Sequence, residues 1–231
     1  LALSVPVMAP PFSRVAAQPE RQGDQQTAPA VFRGRGRKGG KPNILWITAE
    51  GVPLSVLSCY GSRVMKTPNI DRIAREGMLF RNSFCNNALC APSRATLLTG
   101  KYDHLNGMFT NPQATTGVDT PSQFNAAQQT FPKIMREAGY QAGRVGKWHL
   151  TTAPGDATNP GDAGFDYFVF KNGAGGPYYN EKGYLGNPSM GSREIVPMTF
   201  PGYITDNFTN LAIEGMKKMK EPFCMTVQFF N

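Results

Sequence analysis

Two nearly continuous apolar runs, Ile44-Leu45-Trp46-Ile47-Thr48-Ala49 and Phe223-Cys224-Met225-Thr226-Val227-Gln228-Phe229-Phe230, constrain this chain more than anything else in it. Neither alternates polar with apolar, so neither suits a sheet with one wet face. Both suit strands buried on two sides, as in a parallel sheet. Parallel strands need crossover connections, and the segments between the runs supply helices with marked ends. Thr67 to Gly77 has a threonine cap, Pro68 at the first position, Ile70, Ile73 and Ala74 on one face, and a glycine stop. Thr130 to Gly139 repeats the design, with Pro132 in the first turn and Ile134, Met135 and Ala138 turned inward. Tyr203 to Met219 is longer, with Ile204, Phe208, Leu211, Gly215 and Met219 along one stripe and Lys217, Lys218 and Lys220 near the negative end of its dipole. Met78-Leu79-Phe80 starts a second strand and Tyr140 to Val145 forms a third. Strands alternating with helices of this length predict an α/β domain over residues 41–231, a mostly parallel sheet with helices on both faces. Tyr102 to Gln129 and Thr151 to Pro201 are long, rich in Gly, Pro and Asn and poorly periodic, and read as functional loops.

The first 40 residues have a different character. Leu1 to Phe12 is apolar and interrupted by proline, and residues 1–17 end in Val15-Ala16-Ala17, small residues where a signal peptidase reads. They predict the remnant of a secretory signal cleaved after Ala17, and so a periplasmic or secreted protein. The stretch is shorter and more broken than the roughly 20 apolar residues that a membrane span needs. Residues 18–40, rich in Gln, Pro, Gly and Arg, read as a disordered linker. The net charge of +8 suggests a nucleic-acid binder, but residues 1–41 hold Arg14, Arg21, Arg33, Arg35, Arg37, Lys38 and Lys41 against Glu20 and Asp24, five of the eight charges. Arg33 to Lys38 resembles an RNA-binding arginine-glycine segment. A single copy without interleaved aromatics reads better as a solvated tether, so no nucleic-acid partner is expected. Leu1 at the start and a core strand at the very end read as a fragment open at both ends.

Chemistry concentrates between Asn82 and Tyr102. There Cys90-Ala91-Pro92-Ser93-Arg94 opens a helix that closes at Leu98-Thr99-Gly100, with proline placed at the first helical position. Free amides and the positive dipole end at such a helix start favour an anion beside Cys90, and Arg94, one turn in, can fork onto an oxyanion. Sites in open parallel sheets form outside the carboxyl ends of the strands. The first strand ends at Glu50-Gly51 and the third at Gly146-Lys147-Trp148-His149, so one carboxylate, one nucleophile, one lysine and one histidine converge there. The bland readings of the same residues are a buried structural cysteine, a Glu50–Arg94 ion pair, a solvated Lys147 and a packed His149. Cys59, Cys85, Cys90 and Cys224 show no C-x-x-C spacing, which leaves a zinc site unsupported. Cys59, Cys85 and Cys224 read as separately buried thiols, with a disulfide among them left open.

Cys-x-Pro-Ser-Arg followed by Leu-x-Gly resembles the signature of the type I sulfatases, and the resemblance extends over Pro42 to Asn231. It implies an alkaline-phosphatase-like α/β fold, incomplete at its carboxyl end, and hydrolysis of sulfate esters on a carbohydrate. Cys90 would be oxidised by a formylglycine-generating enzyme to formylglycine, whose hydrate attacks sulfur with one hydroxyl and expels sulfate with the other. Arg94 matches the arginine that holds the formylglycine, Lys147 the lysine that neutralises sulfate, and His149 the histidine that accepts a proton. A calcium ion would be held by Glu50 and the residue at Cys90. Counting back from Cys59-Tyr60-Gly61, however, Gly51 stands where the family usually has an aspartate, and the family's second acidic pair and distal lysine are absent from these residues. The 231 residues alone are therefore expected to lack turnover. Thr99 to His104, Gly176 to Asn180 and Tyr203 to Asp206 look most like N-acetylglucosamine-6-sulfatases, which act on heparan-type glycosaminoglycans, and make His104 and Tyr179 candidate substrate contacts. Two other readings remain. Phosphodiester or phosphonate hydrolases carry the same cysteine motif, and a glycan-binding relative without catalysis would follow from the loss at Gly51.

Overall fold

The structure, a computed structural model, describes residues 40–112, 124–151, 159–173, 176–186 and 195–230, all within the unit Gly36–Asn231. The signal remnant and linker expected over residues 1–40 fall outside them but for Gly40. Six strands form one sheet: β1 (Ile44–Glu50), β2 (Gln141–Lys147), β3 (Tyr167–Lys171), β4 (Tyr179–Gly186), β5 (Ile195–Tyr203) and β6 (Phe223–Phe230). The order across it is β1-β6-β2-β3-β4-β5. β1, β6, β2 and β3 are parallel, while β4 pairs antiparallel with both β3 and β5. The sheet is thus mostly parallel, as expected.

Among the described residues five α-helices accompany it: α1 (Pro68–Glu76), α2 (Cys90–Thr99), α3 (Asp103–Asn106), α4 (Phe131–Glu137) and α5 (Ile204–Lys218). α5 buries Ile204, Phe208, Ala212 and Gly215, close to the expected stripe, against Val145, Val169, Met225 and Val227. On the other face Ala91, Ala95 and Leu98 of α2 share a core with Trp148, Phe165, Phe168 and Phe170. Each large apolar side chain buried this way contributes roughly 1.5–3 kcal/mol. Among the described residues no helix is long and apolar enough to cross a membrane.

Several expectations need correction. The segment read as a long loop from Thr151 contains β3, β4 and most of β5. Met78-Leu79-Phe80 is not a strand: it pairs with no strand among the described residues, and Met78 is 75% exposed. β1 is a sheet edge and not a doubly buried strand, so Ile44, Leu45, Trp46 and Ile47 remain exposed. α4 turns Phe131 and Pro132 to the core and not the expected face, with Ile134 and Ala138 exposed and Met135 half-buried, and Ile70 and Ile73 of α1 are exposed as well. Neither threonine caps its helix through its side chain. Thr67 instead donates to the Asp71 carboxylate at 3.0 Å, and Thr130 to the carbonyl of Ala163 at 2.6 Å. All four cysteines are free, and Cys85 is exposed rather than buried.

Candidate active site

Parallel register brings three strand ends to one edge. Glu50 at the end of β1 pairs with Phe230, and Gly146 near the end of β2 pairs with Gln228. The start of α2 lies across this edge, with Cys90 as its first helical residue; Pro92 therefore stands third and not first. Gly146, at φ 117°, allows β2 to press on β6, since a Cβ there would come within 2.1 Å of the Gln228 carbonyl oxygen.

Glu50 is the centre of the cluster. Its Oε1 accepts from the Cys90 thiol at 2.8 Å, both its oxygens accept from Lys147 Nζ at 2.8 Å, and its Oε2 accepts from Arg94 Nη2 at 2.6 Å. Lys147 Nζ also lies 3.7 Å from Cys90 Sγ. The Lys147 side chain is 1% exposed, that of Arg94 8%, and that of Glu50 28%, so two desolvated cations meet one half-buried anion. Burial alone would raise the Glu50 pKa, but the Cys90 hydrogen bond, Lys147 and Arg94 together hold it down to about 2. Burial and the Glu50 hydrogen bond raise the pKa of the Cys90 thiol despite Lys147 and Arg94. As a thiol, then, Cys90 is protonated at neutral pH and is not itself an activated nucleophile.

A cavity of about 370 Å³, lined by Glu50, Gly51, Asn87, Cys90, Ser93 and Arg94 among others, opens onto this cluster. His149 follows β2 with a left-handed backbone, φ 52°, and is 3% exposed. Burial, then the charges of Lys147 and Arg94, push its pKa down to about 4, so its ring is neutral at pH 7. Its Nδ1 has no hydrogen-bond partner among the described residues. The structure therefore gathers Glu50, Cys90, Arg94 and Lys147 directly, with His149 within their electrostatic reach. His104 and Tyr179 are exposed and do not line this cavity: His104 stacks on Tyr102, centroids 6.0 Å apart, and Tyr179 lies tilted against Tyr203 at 5.4 Å.

Calcium takes six to eight oxygen ligands. Gly51 offers no side-chain oxygen, and both oxygens of Glu50 are engaged by cations. Among the described residues no group of three or more His, Cys, Asp or Glu could hold a metal. The described residues do not by themselves fit the ion.

Arg144 and Gln228 also belong to this cluster, though nothing in the sequence analysis singles them out. Arg144 Nη2 donates to the Lys147 carbonyl and to Gln228 Oε1, each at 2.5 Å. Arg94 Nη1 donates to the same two acceptors. The signal for both was a polar side chain inside a run read as buried strand.

A family model described as Sulfatase matches residues 42–230. An N-acetylglucosamine-6-O-sulfatase of Bacteroides thetaiotaomicron is 39% identical over 80% of this chain and 29% of its own length. Human N-acetylgalactosamine-6-sulfatase is 39% identical over 61% of this chain and 27% of its own. A protein solved with its substrate D-glucosamine-2-N,6-O-disulfate superposes with a TM-score of 0.64 at 36% identity, over 81% of this chain and 34% of that one. The chain thus spans less than a third of the curated relatives it matches here.

Proposed function

The chain belongs to the sulfatase family, and from that premise we propose that it carries the nucleophile side of a sulfuric ester hydrolase acting on a sulfated carbohydrate. Its mixed, mostly parallel α/β sheet is the alkaline-phosphatase-like arrangement of its solved relatives. The observation that carries the proposal is the position of Cys90: at a helix start, 2.8 Å from Glu50 and 3.7 Å from Lys147.

Cys90 Sγ stands in for the oxygen that residue 90 would carry after oxidation by a formylglycine-generating enzyme. Formylglycine at this position would supply a hydrated aldehyde whose hydroxyl attacks sulfur. The surrounding residues suit that chemistry. Glu50, ionised across the working range, accepts a hydrogen bond from the group at position 90 and so orients it. Lys147 and Arg94 are fixed cations that meet the sulfate oxygens without reorganising. His149, neutral and with an unpartnered Nδ1, is able to take up a proton. Members of the family generally use calcium as well, but no step is assigned to it here because the described residues do not fit it.

For the substrate, a 6-O-sulfated N-acetylglucosamine of a heparan-type glycan is the proposal. It is supported by the relative named for that activity and by the neighbour solved with a glucosamine disulfate. The exposed Tyr102–His104 and Tyr179–Tyr203 pairs offer aromatic faces to a sugar ring. With such a substrate, a periplasmic or secreted location is part of the same proposal.

The test is to produce the full-length protein beside a formylglycine-generating enzyme, read the mass of the Cys90 peptide, and assay an aryl sulfate. Conversion at Cys90 and turnover abolished in Cys90→Ala are expected. Turnover of an aryl phosphodiester in preference to the sulfate would overturn the sulfatase reading. A second reading, a glycan binder without catalysis, is favoured by Gly51 and the saturated Glu50 carboxylate. An unmodified thiol in a competent host, with glycan binding retained, would establish it instead.

A further inference from the structure

The buried charge of the site is not accounted for by its contacts with Glu50. Arg144 lies on β2, three residues before Lys147, and is 1% exposed. No carboxylate among the described residues pairs with it. Its guanidinium carbon sits 4.7 Å above the Trp148 ring and 5.6 Å from that of Phe165, and its Nε has no acceptor. A cation in such a place is costly unless something fixed answers it. What answers it is a pair of oxygens, Gln228 Oε1 and the Lys147 carbonyl, and both are shared with Arg94. Two guanidinium groups thus close on one side-chain carbonyl. Gln228 is itself fixed because β6 touches β2 at Gly146, where no side chain intervenes.

The arrangement has a direction. Arg94 reaches forward with Nη2 to Glu50 and backward with Nη1 to Gln228. Arg144 touches neither Glu50 nor Cys90; its fork ends on the two atoms that Arg94 leans against. Without Gln228 Oε1, Arg94 would keep one backward bond, to the Lys147 carbonyl, and could swing away from Glu50. Without Arg144, Gln228 would lose the donor that holds its amide in place. Burial, and then the charge of Arg94, push the Arg144 pKa well down.

We propose that Gln228 and Arg144 are positioning residues of the sulfatase site, Gln228 bracing the Arg94 guanidinium from behind and Arg144 locking Gln228, while neither meets the substrate. The proposal rests on the function proposed above, and its test separates the two. Gln228→Leu, Arg144→Met and the double variant are made in the full-length protein. Each single change is expected to lower kcat for an aryl sulfate about 10–100-fold, as loss of an outer support does, with KM within about threefold because no substrate contact is removed. The double variant is expected to be no worse than the poorer single one, since both act through the same oxygen. Gln228→Glu, which keeps acceptor oxygens in place, is expected to retain most of kcat. Guanidinium nitrogen NMR, with Arg94 assigned by loss of its signals in Arg94→Met, reads the bracing directly. Resolved, slowly rotating Nη signals in the unaltered protein should average in Gln228→Leu. Arg94 signals identical in all variants, or kcat losses that add and follow only thermal stability, would overturn the proposal. If the unaltered protein turns over no aryl sulfate, the functional reading fails while the NMR comparison still decides this one.

Discussion

On the side of the sheet covered by α5, Val145, Val169, Met225 and Val227 meet Phe200, Ile204 and Phe208 in an apolar core. On the side covered by α2, Trp148, Phe165 and Phe168 share their space with the buried cations Arg94 and Arg144, and Lys147 stands at the strand end beside them. Both sides exclude water, yet only one accepts the cost of burying charge. The first is organised by volume, so its residues are replaceable by others of like shape. The second is organised by hydrogen-bond direction around Glu50, and like-shaped substitution there is expected to fail. Where a fold breaks its own rule about buried charge, a ligand or a reaction is the reason to look for.

Three substitutions and one pH series would break or sharpen that contrast. The largest effect is expected for Phe208→Ala on the apolar side, where the ring packs 5.3 Å from Phe200 and 6.2 Å from Phe230. About 3–5 kcal/mol of stability should go, read by denaturant unfolding, with kcat of the folded fraction nearly unchanged. Lys147→Met should do the opposite. Removing an ammonium bound to both Glu50 oxygens should cost about 10²–10³-fold in kcat/KM, measured at a temperature where the variant stays folded. Comparable effects of the two changes on both readouts would erase the distinction between the sides.

The pH dependence sharpens the contrast further. Because His149 in the folded protein protonates only near pH 4, the acid limb of kcat/KM should fall there and not near 6.5. The unfolded chain takes up that proton between pH 6.5 and 4 while the folded chain does not. The stabilising share of His149 is therefore whole above pH 6.5 and lost as pH falls toward 4, which a pH series of melting curves would register. The smallest effect belongs to Gly51, whose φ of 76° favours glycine. Gly51→Asp should cost about 1 kcal/mol of stability through backbone strain. A gain in calcium affinity by calorimetry would mark Gly51 as the residue that removes a ligand.

Much of this was legible in the sequence for physical reasons. The Ile44 and Phe223 runs, the β2 strand and the α5 stripe are long and periodic enough to declare themselves. Cys90, Arg94, Glu50 and Lys147 stand at strand and helix ends, where topology alone brings them together. β4 and β5 were hidden by Gly183, Gly186, Pro197 and Pro201, residues that usually argue against a strand. The glycines are there because a Cβ at Gly183 would meet the Phe200 ring at 2.4 Å and one at Gly186 the Phe168 ring at 2.2 Å. Gln228 was hidden differently: within an apolar run it reads as a tolerated exception, and only the crossing of Arg94 and Arg144 gives it a part.

The open edge at β1 bears on how these residues behave in a cell. Ile44, Leu45, Trp46 and Ile47 line a strand whose outer side has no neighbour among the described residues, and Ile70, Ile73 and Met78 lie exposed nearby in the chain. An unpaired, uncharged strand edge is a template for other strands. Residues 40–230 on their own would accordingly tend to pair with other strands, and soluble yield would depend on what is laid along that edge.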